Sequence, residues 1–312
     1  MQKTVLVTGG AGFIGNYICR ALLDNNYSVK VLDTTKKSKA EYITDIMPEI
    51  SFVRGDITNL AMLKKEFRGI DYVLHQAALR SAFESVEIPH IYNKVNIEGT
   101  LNVLEAARHA DVKRVVFASS SSVYGNCRDF PEKESCNPIP RSPYAISKLI
   151  GEHYCSMFYK LYGLETISLR YFNVFGPVKG SEEFSTIFPV FIKAMINNQR
   201  PVIWGDGTQS RDFTYVKNIA DANIAAIEAN KDACGEVFNI SSGYEISINN
   251  VIERINLFLD KDIKPKYAKM KKGDVFRTCA DISKAIKILG WEAKYSFDEG
   301  LRETISAYAR DK

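Results

Sequence analysis

The chain has 312 residues, of which 46% are hydrophobic and 25% are charged, and its formal net charge is +4. A chain of this length has enough material for the core of one large domain or two small ones. The small net charge gives no basis for binding nucleic acid or a membrane surface, and we expect neither. No run approaches the ~18 apolar residues of a membrane span, so the composition indicates a soluble globular protein.

The N-terminal segment and the cysteines predict a cytoplasmic protein. The first apolar run, at residues 4–8, is too short for a secretory signal peptide, and a glycine loop follows at once. The six cysteines are scattered without a CxxC pair, which favours free thiols in a reducing compartment. Cys127 and Cys136 fall in one predicted loop, so a disulfide between them is the alternative. We expect no metal site.

Short apolar runs alternate with helical patterns over the first half of the chain. Runs typical of buried strands occupy residues 4–8, 28–33, 51–54, 72–75, 114–119 and 165–171. Apolar side chains recur at helical spacing from Phe13 to Leu22, and long helices are predicted at residues 91–110 and 143–161. Buried strands separated by helices predict the α/β class, with a doubly wound parallel sheet of the Rossmann type.

The composition changes after Gly176. Glycine, proline and polar residues cluster at residues 176–183, and a helix at 186–198 and a strand at 201–205 are predicted to follow. Residues 236–240 are typical of one more buried strand that could rejoin the sheet. We predict a dinucleotide-binding domain at residues 1–174, rejoined by 212–243, and a smaller discontinuous lobe from residues 175–211 and 244–312. The cleft is expected between them, at the carboxyl ends of the strands.

The segment TGGAGFIG, residues 8–15, links the first predicted strand to a helix. Gly9, Gly12 and Gly15 would leave bare backbone amides at the positive end of that helix, which favours a diphosphate. Glycines also close ordinary turns, but a dinucleotide site requires this position between a strand and an amphipathic helix. We therefore predict such a site here.

Asp33 ends the second predicted strand, about 20 residues further on, where a carboxylate can accept both hydroxyls of the adenosine ribose. Its charge would repel a 2′-phosphate, so NAD is favoured over NADP. Lys36, Lys37 and Lys39 follow and could neutralise such a phosphate, although a solvated surface loop is the simpler interpretation. Asp56 is expected either at the adenine amino group or as the cap of a helix from residue 58.

Tyr144 and Lys148, in the sequence YAISK, would share one face of a helix because they are four residues apart. A surface tyrosine beside a solvated lysine is the alternative. Ser120 favours a catalytic interpretation because it follows a predicted parallel strand, where α/β sheets place their chemistry.

The expected charge of Lys148 is not enough to make Tyr144 a base. Poising a phenol near neutrality requires its pKa to fall by ~3 pH units, or about 4 kcal/mol. One ammonium group ~6 Å away, at an effective dielectric constant of ~20, supplies about 2.8 kcal/mol. We expect Tyr144 to act as a base only when oxidised cofactor is bound.

With these motifs in place, the chain resembles the extended short-chain dehydrogenase/reductase family over nearly its whole length. Within that family it is most similar to the nucleotide-sugar 4-epimerases. The segments that carry the resemblance are TGGAGFIG (8–15), HQAAL (75–79), NIEGT (96–100), ASSSSVYG (118–125), SPYAISK (142–148), LRYFNVFGP (169–177), SRDFTYV (210–216) and GDVFRTCADISKA (273–285).

The resemblance implies NAD as cofactor and a UDP-sugar as substrate. Ser120 would hydrogen-bond the sugar 4-oxygen, Tyr144 would be the base, and Lys148 would bind the nicotinamide ribose. Cofactor contacts are implied for Gly9, Gly12, Phe13, Ile14, Gly15, Asp33, Asp56, Ile57, Ala77, Ala78, Arg80, Asn96, Lys148 and Tyr171. Substrate contacts are implied for Ala82, Ser120, Ser121, Ser122, Tyr144, Asn173, Thr186, Ile187, Val202, Trp204, Arg211, Lys271, Asp274 and Thr278.

Four of the implied substrate contacts have ordinary alternatives or depart from the family pattern. Asn173 and Arg211 would grip the diphosphate and Trp204 would stack on the uracil. From the residues alone, Asn173 is as readily a turn former, Arg211 a surface ion-pair partner and Trp204 a core residue. Lys271 stands where these epimerases usually carry arginine, and a lysine offers a point charge without a bidentate fork.

The serines after the fifth strand distinguish reaction types. By the resemblance, 4,6-dehydratases carry an Asp-Glu pair at the positions of Ser121 and Ser122, and the decarboxylases place a glutamate beside the catalytic hydroxyl. This chain has only hydroxyls at these positions. The resemblance therefore implies oxidation and re-reduction at carbon 4, through a transient 4-keto sugar. The implied activity interconverts UDP-glucose and UDP-galactose.

In the family, the size of one residue determines whether N-acetylated sugars fit, and in this chain that residue is Thr278. A bulky residue there excludes them, so the small threonine adds UDP-GlcNAc and UDP-GalNAc to the expected substrates. The alternative is that Thr278 is merely a small buried residue without a role in specificity. A glucuronate 4-epimerase needs a cation near the sugar carboxylate. Glu182 and Glu183 argue mildly against that activity, and Lys179 keeps it open.

A non-catalytic, NAD-sensing regulator on the same fold is the remaining alternative, which the presence of both Tyr144 and Lys148 disfavours. By family analogy, the helices at residues 91–110 and 143–161 would form a four-helix homodimer interface. The candidate contacts are Ile146, Leu149, Ile150 and His153, with ordinary core packing as the alternative.

Overall fold

The computed structural model describes residues 2–36, 40–125, 127, 129–178, 187–269 and 276–310. In chain order the strands are β1 (Thr4–Thr8), β2 (Ser28–Asp33), β3 (Ile50–Arg54), β4 (Tyr72–His75), β5 (Arg114–Ser120), β6 (Glu165–Tyr171), β7 (Val174–Phe175), β8 (Val202–Trp204), β9 (Ser210–Arg211), β10 (Thr214–Tyr215), β11 (Glu236–Ile240), β12 (Ile246–Ser247) and β13 (Lys266–Ala268). The α-helices are α1 (Phe13–Asp24), α2 (Leu60–Glu66), α3 (Ala82–Glu87), α4 (Pro89–Tyr92), α5 (Gly99–His109), α6 (Pro143–Tyr162), α7 (Ile187–Ile196), α8 (Val216–Glu228), α9 (Ile248–Leu259) and α10 (Phe297–Arg310).

Seven parallel strands form the main sheet, in the order β11-β6-β5-β4-β1-β2-β3. The order runs outward from β1 in one direction through β2 and β3, and in the other through β4, β5 and β6. This reversal is the switch point at which open α/β sheets bind ligands. The predicted Rossmann-type sheet is confirmed, and the predicted strand at residues 236–240 is its edge strand.

Alternation along β1 explains the two helical layers. Val5 and Val7 belong to a core with α1 and α8, whereas Leu6 belongs to a core with α2, α5 and α6. Successive side chains of a strand point to opposite faces, so a strand buried on both faces is apolar throughout.

Helix α6 has clear start and stop signals. The Ser142 side chain accepts a hydrogen bond from the Ala145 N–H, Pro143 occupies the first turn, and the helix ends at Gly163 in the left-handed conformation with φ of 70°. These are the preferred residue types at the N-cap, first turn and C-terminal end. The cap places Tyr144 in the first turn of the helix.

A second core, rich in aromatic side chains, forms largely from residues 175–308. Phe175 and Phe188 stack with ring centroids 4.6 Å apart, and Phe213 and Phe297 pack around them. Three two-stranded pairs, β7 with β10, β8 with β13 and β9 with β12, surround this core together with α7, α9 and α10. The predicted helix at 186–198 is α7, and the predicted strand at 201–205 is β8.

The chain is helical over nearly the whole of the predicted helix at residues 91–110. A π-helical segment, Asn93–Glu98, separates α4 from α5. The wider turn accompanies the inward placement of Asn96, which is 2% exposed and hydrogen-bonds inside the protein. Among the described residues, no helix combines the length and apolarity that crossing a bilayer requires.

Candidate active site

The glycine loop between β1 and α1 is packed so tightly that side chains do not fit. A Cβ on Gly15 would lie 2.2 Å from the Gly9 carbonyl oxygen, and one on Gly9 would lie 2.8 Å from the Ala77 backbone. Gly9 also has a φ of 72°, which favours glycine. Gly12 is the N-cap of α1, so the first amides of the helix face the carboxyl edge of the sheet.

The two residues after the glycines differ in their surroundings. The Phe13 side chain is buried in the aromatic core, so the helix start offers its backbone rather than its ring. Ile14 is partly buried between the two cores.

Asp33 lies beside the glycine loop at the end of β2. Its Oδ2 accepts the Ala11 N–H at 3.1 Å and its Oδ1 accepts the Thr35 N–H at 2.9 Å. These bonds hold the carboxylate at the edge where a ribose diol would lie. Lys36 is exposed, and Lys37 and Lys39 lie outside the described residues.

Asp56 does not cap a helix. Its Oδ1 accepts from the backbone N–H and the hydroxyl of Thr58 at 2.9 and 2.8 Å, whereas α2 begins at Leu60 with Asn59 as its cap. That alternative for Asp56 is therefore wrong, because the turn precedes the helix. Ile57, the next residue, is buried and would meet any Cβ added at Gly99.

A buried polar chain connects the glycine loop with α5. His75 Nδ1 lies 2.7 Å from the Thr8 hydroxyl and Nε2 lies 3.0 Å from the Thr100 hydroxyl, which itself donates to the Asn96 carbonyl. Thr100 must therefore accept from Nε2–H, which fixes the neutral tautomer. Burial, with the nearby Lys148 charge, lowers the pKa of His75 to about 3.

Asn96 joins the segment after β4 to α6. Its Oδ1 accepts the Leu79 N–H and its Nδ2 donates to the Leu79 carbonyl, both at 2.9 Å, and to the Ser147 hydroxyl at 3.0 Å. Ser147 in turn donates to the Tyr144 carbonyl at 2.7 Å. This places Ala77, Ala78 and Arg80, around Leu79, at the mouth of the site.

Ser120, Tyr144 and Lys148 meet at the carboxyl end of β5. The Ser120 hydroxyl lies close enough to the Tyr144 phenol to lower the pKa of that phenol. Lys148 Nζ donates to the Ala118 carbonyl at 2.7 Å and lies 5.9 Å from the centroid of the Tyr144 ring. The spacing in the sequence therefore brings the phenol, the ammonium and the serine together.

Burial shifts the pKa values of Tyr144 and Lys148 so that the charged form of each group is disfavoured. It raises the pKa of Tyr144, while the Ser120 hydroxyl and the Arg80 charge act in the opposite direction. It lowers the pKa of Lys148 to about 8, against the charges of Cys155 and Glu152. Near pH 7, Lys148 carries its proton and Tyr144 is a neutral phenol.

The serines that follow Ser120 form a short 3₁₀ turn, Ser121–Val123. The Ser122 N–H donates to the Ser120 hydroxyl at 3.2 Å, and the Ser122 hydroxyl is buried without a partner among the described residues. Buried polar atoms without partners are rare, and a ligand hydroxyl would satisfy this one.

Asn173 and Thr278 are in contact, beside Arg211. Asn173 has a φ of 30°, and its Nδ2 donates to the Asp212 carbonyl at 2.8 Å and the Thr278 hydroxyl at 3.2 Å. Arg211 Nη1 donates to the carbonyls of Ser210 at 2.8 Å and of residue 276 at 3.2 Å. Thr278 is half-buried.

The remaining predicted contacts are spread around the cleft. Trp204 is 46% exposed, which excludes the core alternative, and Val202 on the same strand is also exposed. Ala82 begins α3 and Ile187 begins α7. Tyr171 is buried, with its hydroxyl bonded to Gln76 and Asn223. Thr186, Lys271 and Asp274 lie outside the described residues.

Sequence reasoning missed Asp212, in the motif SRDFTYV. Its Oδ1 accepts the Ser242 N–H, and its Oδ2 accepts the N–H groups of Gly243 and Ala280, at 3.1 to 3.2 Å. It is fully buried, and burial raises its pKa to about 6. No local pattern indicates this role, because the N–H groups that Asp212 accepts lie 30 to 68 residues further along the chain.

Two other groups lie apart from this site. All six cysteines are free, and the Cys127 and Cys136 sulfurs lie with an Asp129 oxygen within 4.8 Å of one another. A cavity of about 890 Å³ lies along α6 and the edge strand, and it is lined by Lys133, Glu152, Arg170 and Lys284 among others. None of the predicted site residues lines this cavity.

Known proteins share both the sequence and the fold. Residues 5–241 match the family described as NAD dependent epimerase/dehydratase. A putative UDP-glucose 4-epimerase of Methanocaldococcus jannaschii is 38% identical over 304 residues, which are 97% of each chain. The structure of UDP-N-acetylglucosamine 4-epimerase from Methanobrevibacter ruminantium, in complex with UDP-N-acetylmuramic acid, has a TM-score of 0.93 and 39% identity, covering 100% of this chain and 99% of that one. That of UDP-glucuronic acid 4-epimerase from Bacillus cereus, with UDP-glucuronic acid and NAD, has a TM-score of 0.90 and 34% identity, covering 99% and 100%.

Proposed function

Because the chain belongs to the NAD dependent epimerase/dehydratase family, we propose that it is an NAD-dependent UDP-sugar 4-epimerase. The observation that carries the proposal is the placement of the Ser120 hydroxyl beside the Tyr144 phenol, with Lys148 one helical turn further on. The residues that follow Ser120 are serines rather than acids, so the site is built for proton transfer at one alcohol carbon without elimination.

The residues present fit NAD. The tightly packed glycine loop leaves the first amides of α1 open to a diphosphate, and Asp33 is held where it can accept both ribose hydroxyls. Lys148 would bind the nicotinamide ribose. When bound, NAD supplies hydride acceptance from carbon 4 and hydride return to it.

The chain's own residues move the proton. Tyr144 takes the proton of the sugar 4-hydroxyl and later returns it, while Ser120 donates a hydrogen bond to the same oxygen. Lys148 keeps positive charge near the phenol, which favours the phenolate form. The 4-keto sugar turns about its diphosphate between the two transfers, so Asn173 and Arg211 hold the diphosphate and Trp204 stacks on the uracil.

UDP-glucose/UDP-galactose and the N-acetylated pair UDP-GlcNAc/UDP-GalNAc are the proposed substrates. Thr278 supports the second pair because its side chain is small and half-buried beside Asn173. UDP-glucuronate epimerisation is the alternative, supported by the 34% identity to an enzyme that binds UDP-glucuronic acid.

A homodimer in the cytoplasm is the proposed working form. Exposed apolar side chains lie on α3, α4 and α6, which pack against one another, and they include Phe83, Ile91, Ile146 and Leu161. A second copy of this surface would cover them in a four-helix interface. Six free thiols support a reducing compartment.

The test is turnover of UDP-glucose, UDP-GlcNAc and UDP-glucuronate by the purified holoenzyme. Tyr144→Phe should abolish epimerisation of every substrate while sparing NAD retention, because the phenol is the base. A wild-type protein with bound NAD and no turnover of any UDP-sugar would instead indicate a regulator.

Three substitutions at Thr278 test whether its size determines the fit of N-acetylated sugars. Thr278→Tyr should remove turnover of the N-acetylated sugars and spare UDP-glucose, since a ring would fill the space beside Asn173. Thr278→Val keeps the size and removes the hydroxyl, and Thr278→Ser keeps the hydroxyl and removes one methyl group. Loss of N-acetylated turnover in the valine variant as well would assign the effect to the hydrogen bond rather than to the size.

A further inference from the structure

Glu152 lies on α6 one turn after Lys148 and binds two strands at once. Its Oε1 accepts the Ser119 hydroxyl and Arg170 Nε, the latter at 2.8 Å, and its Oε2 accepts Arg170 Nη2 at 2.7 Å. The side chains of Glu152 and Arg170 are each 4% exposed. Arg170 also lies over the Tyr124 ring, 4.6 Å from its centroid.

The two partners of Glu152 are neighbours across the sheet. Ser119 on β5 and Arg170 on β6 are register partners, and Ser119 directly precedes Ser120. A single carboxylate therefore joins α6, which carries Tyr144 and Lys148, to the end of the strand that carries Ser120. The angle between helix and strand decides whether the two hydroxyls meet.

Stability alone is a weak reason for such a pair. A fully buried ion pair often contributes no more than packed apolar residues of similar volume, because both ions lose their hydration. Arg170 Nη1 is moreover buried without a hydrogen-bond partner in the part of the chain that the structure describes. The pair is better explained by its effect on the neighbouring side chains of Ser120, Tyr144 and Lys148.

Cys155 and Glu152 oppose the fall of the Lys148 pKa, and of these two groups only Glu152 is charged near pH 7. Tyr144, Glu152 and Cys155 face it from α6, the neutral His75 from β4 and the Phe117 ring from β5, 5.0 Å away. Tyr144 and Cys155 carry no charge near pH 7, since burial raises the pKa of each. Glu152 is therefore the group in this set that places a negative charge near Lys148.

We infer that Glu152 is a positioning residue for the reaction: it fixes α6 against the end of β5 through Arg170 and Ser119, and it keeps Lys148 protonated. This inference rests on the proposed function, in which Lys148 acts on Tyr144. Because burial already lowers the pKa of Lys148 to about 8, loss of the negative charge would leave the lysine neutral at working pH.

The test uses Glu152→Gln, which is nearly isosteric and can still accept from Ser119. In NAD-loaded protein with ¹³C-labelled lysine, the Lys148 signal is identified by its absence in Lys148→Met. Titration of that signal should move to lower pH by roughly one to two units in Glu152→Gln, because one negative charge is removed near a buried ammonium group. The alkaline limb of the kcat profile should move with it, with KM for the UDP-sugar little changed.

Glu152→Gln leaves Arg170 uncompensated and will be less stable, so a second variant separates the two effects. Glu152→Gln/Arg170→Met removes both charges and should regain stability while the Lys148 titration stays shifted. Glu165→Gln is the matched control, because it breaks the other buried pair, with Arg114, at the opposite end of β5. Its Lys148 titration should equal that of the wild type.

Recovery of the wild-type Lys148 titration in the double variant would overturn the inference, as would an unshifted titration in Glu152→Gln. A wild-type protein that turns over no UDP-sugar would refute the proposed function instead. The lysine titration would still decide the role of Glu152 in that case.

Discussion

The Tyr144 phenol is buried against its own ionisation, and the charge of Arg80 and the Ser120 hydroxyl only partly oppose that effect. One ammonium ~6 Å away supplies about 2.8 kcal/mol, whereas even a free phenol needs roughly 4 kcal/mol to titrate near neutrality, and burial increases that requirement for Tyr144. We therefore expect the pKa of Tyr144 to fall only when oxidised NAD adds its positive ring. Ultraviolet titration of wild type minus Tyr144→Phe, with and without NAD⁺, isolates this phenol from the other tyrosines. Equal pKa values in the two titrations would refute the expectation.

Asp212 is predicted to tie three backbone segments together behind Asn173 and Thr278. Both of its oxygens accept backbone N–H groups. In Asp212→Asn the amide nitrogen is itself a donor, and it would face one of these N–H groups whichever way the amide is turned. The substitution should cost about 1–3 kcal/mol of unfolding free energy.

The pH dependence of that cost has a defined sign. The folded pKa of Asp212, about 6, lies above the ordinary aspartate value of 3.8, so the bound proton stabilises the fold below about pH 4 and this contribution is lost as pH rises through 6. Asparagine has no such dependence, and the destabilisation should grow as pH falls from 7 to about 4. Urea unfolding of both proteins across that range measures it; a constant difference would contradict the assignment.

Single residues could be predicted where chemistry and spacing coincide. The helical spacing of Tyr144 and Lys148 and the strand-end position of Ser120 were enough to place them together. Asp212 and Glu152 were missed because their partners, the N–H groups of Gly243 and Ala280 and the side chain of Arg170, are distant in the sequence. Nothing local distinguishes a buried carboxylate from a solvated one.

Helix α8 ends on a buried cation from the sheet. Arg114 Nη1 donates to the carbonyls of Ala226, Ile227 and Ala229, each at 2.8 Å, and Nη2 binds Glu165 at 2.8 Å. The terminal carbonyls of a helix lack partners within it and carry its negative dipole end. A guanidinium is suited to both demands.

Arg114→Met should destabilise the protein by about 3–5 kcal/mol, because it leaves Glu165 and three carbonyls unpaired in the interior. Arg108→Met is the control, since Arg108 pairs with Glu105 near the surface, where such pairs contribute under about 1 kcal/mol. Urea unfolding compares the two. Similar losses in both variants would show that the carbonyl contacts contribute little.

The spacing of apolar residues predicted which segments are strands and which are helices, but it did not predict irregular turns within a helix. The strand at residues 4–8 and α1 were predictable because their apolar side chains recur at strand and helix spacing. The π-helical turn at Asn93–Glu98 was not, since a π turn is set by where Asn96 must reach, to Leu79 and Ser147, and the helical period does not record this.

At the scale of the molecule, β11 shows what alternation of strands and helices can predict. A buried run at residues 236–240 far down the chain was expected to return to the sheet, and it pairs with β6 at the edge. The arrangement of the C-terminal lobe was less accessible, because its strands are short and pair across long separations, as β8 with β13 and β9 with β12.

Two leucines with the same exposure separate the proposed interface from ordinary surface. Leu161 on α6 and Leu257 on α9 are each 65% exposed, and the first lies on a helix that also carries the exposed Ile146 and Met157. The wild type should sediment as a dimer of 35.1 kDa chains. Leu161→Glu should dissociate it, because a carboxylate placed in an apolar interface loses its hydration, whereas Leu257→Glu should leave the dimer intact. Analytical ultracentrifugation of the three proteins measures this, and a Leu161→Glu dimer as stable as the wild type would move the interface away from α6.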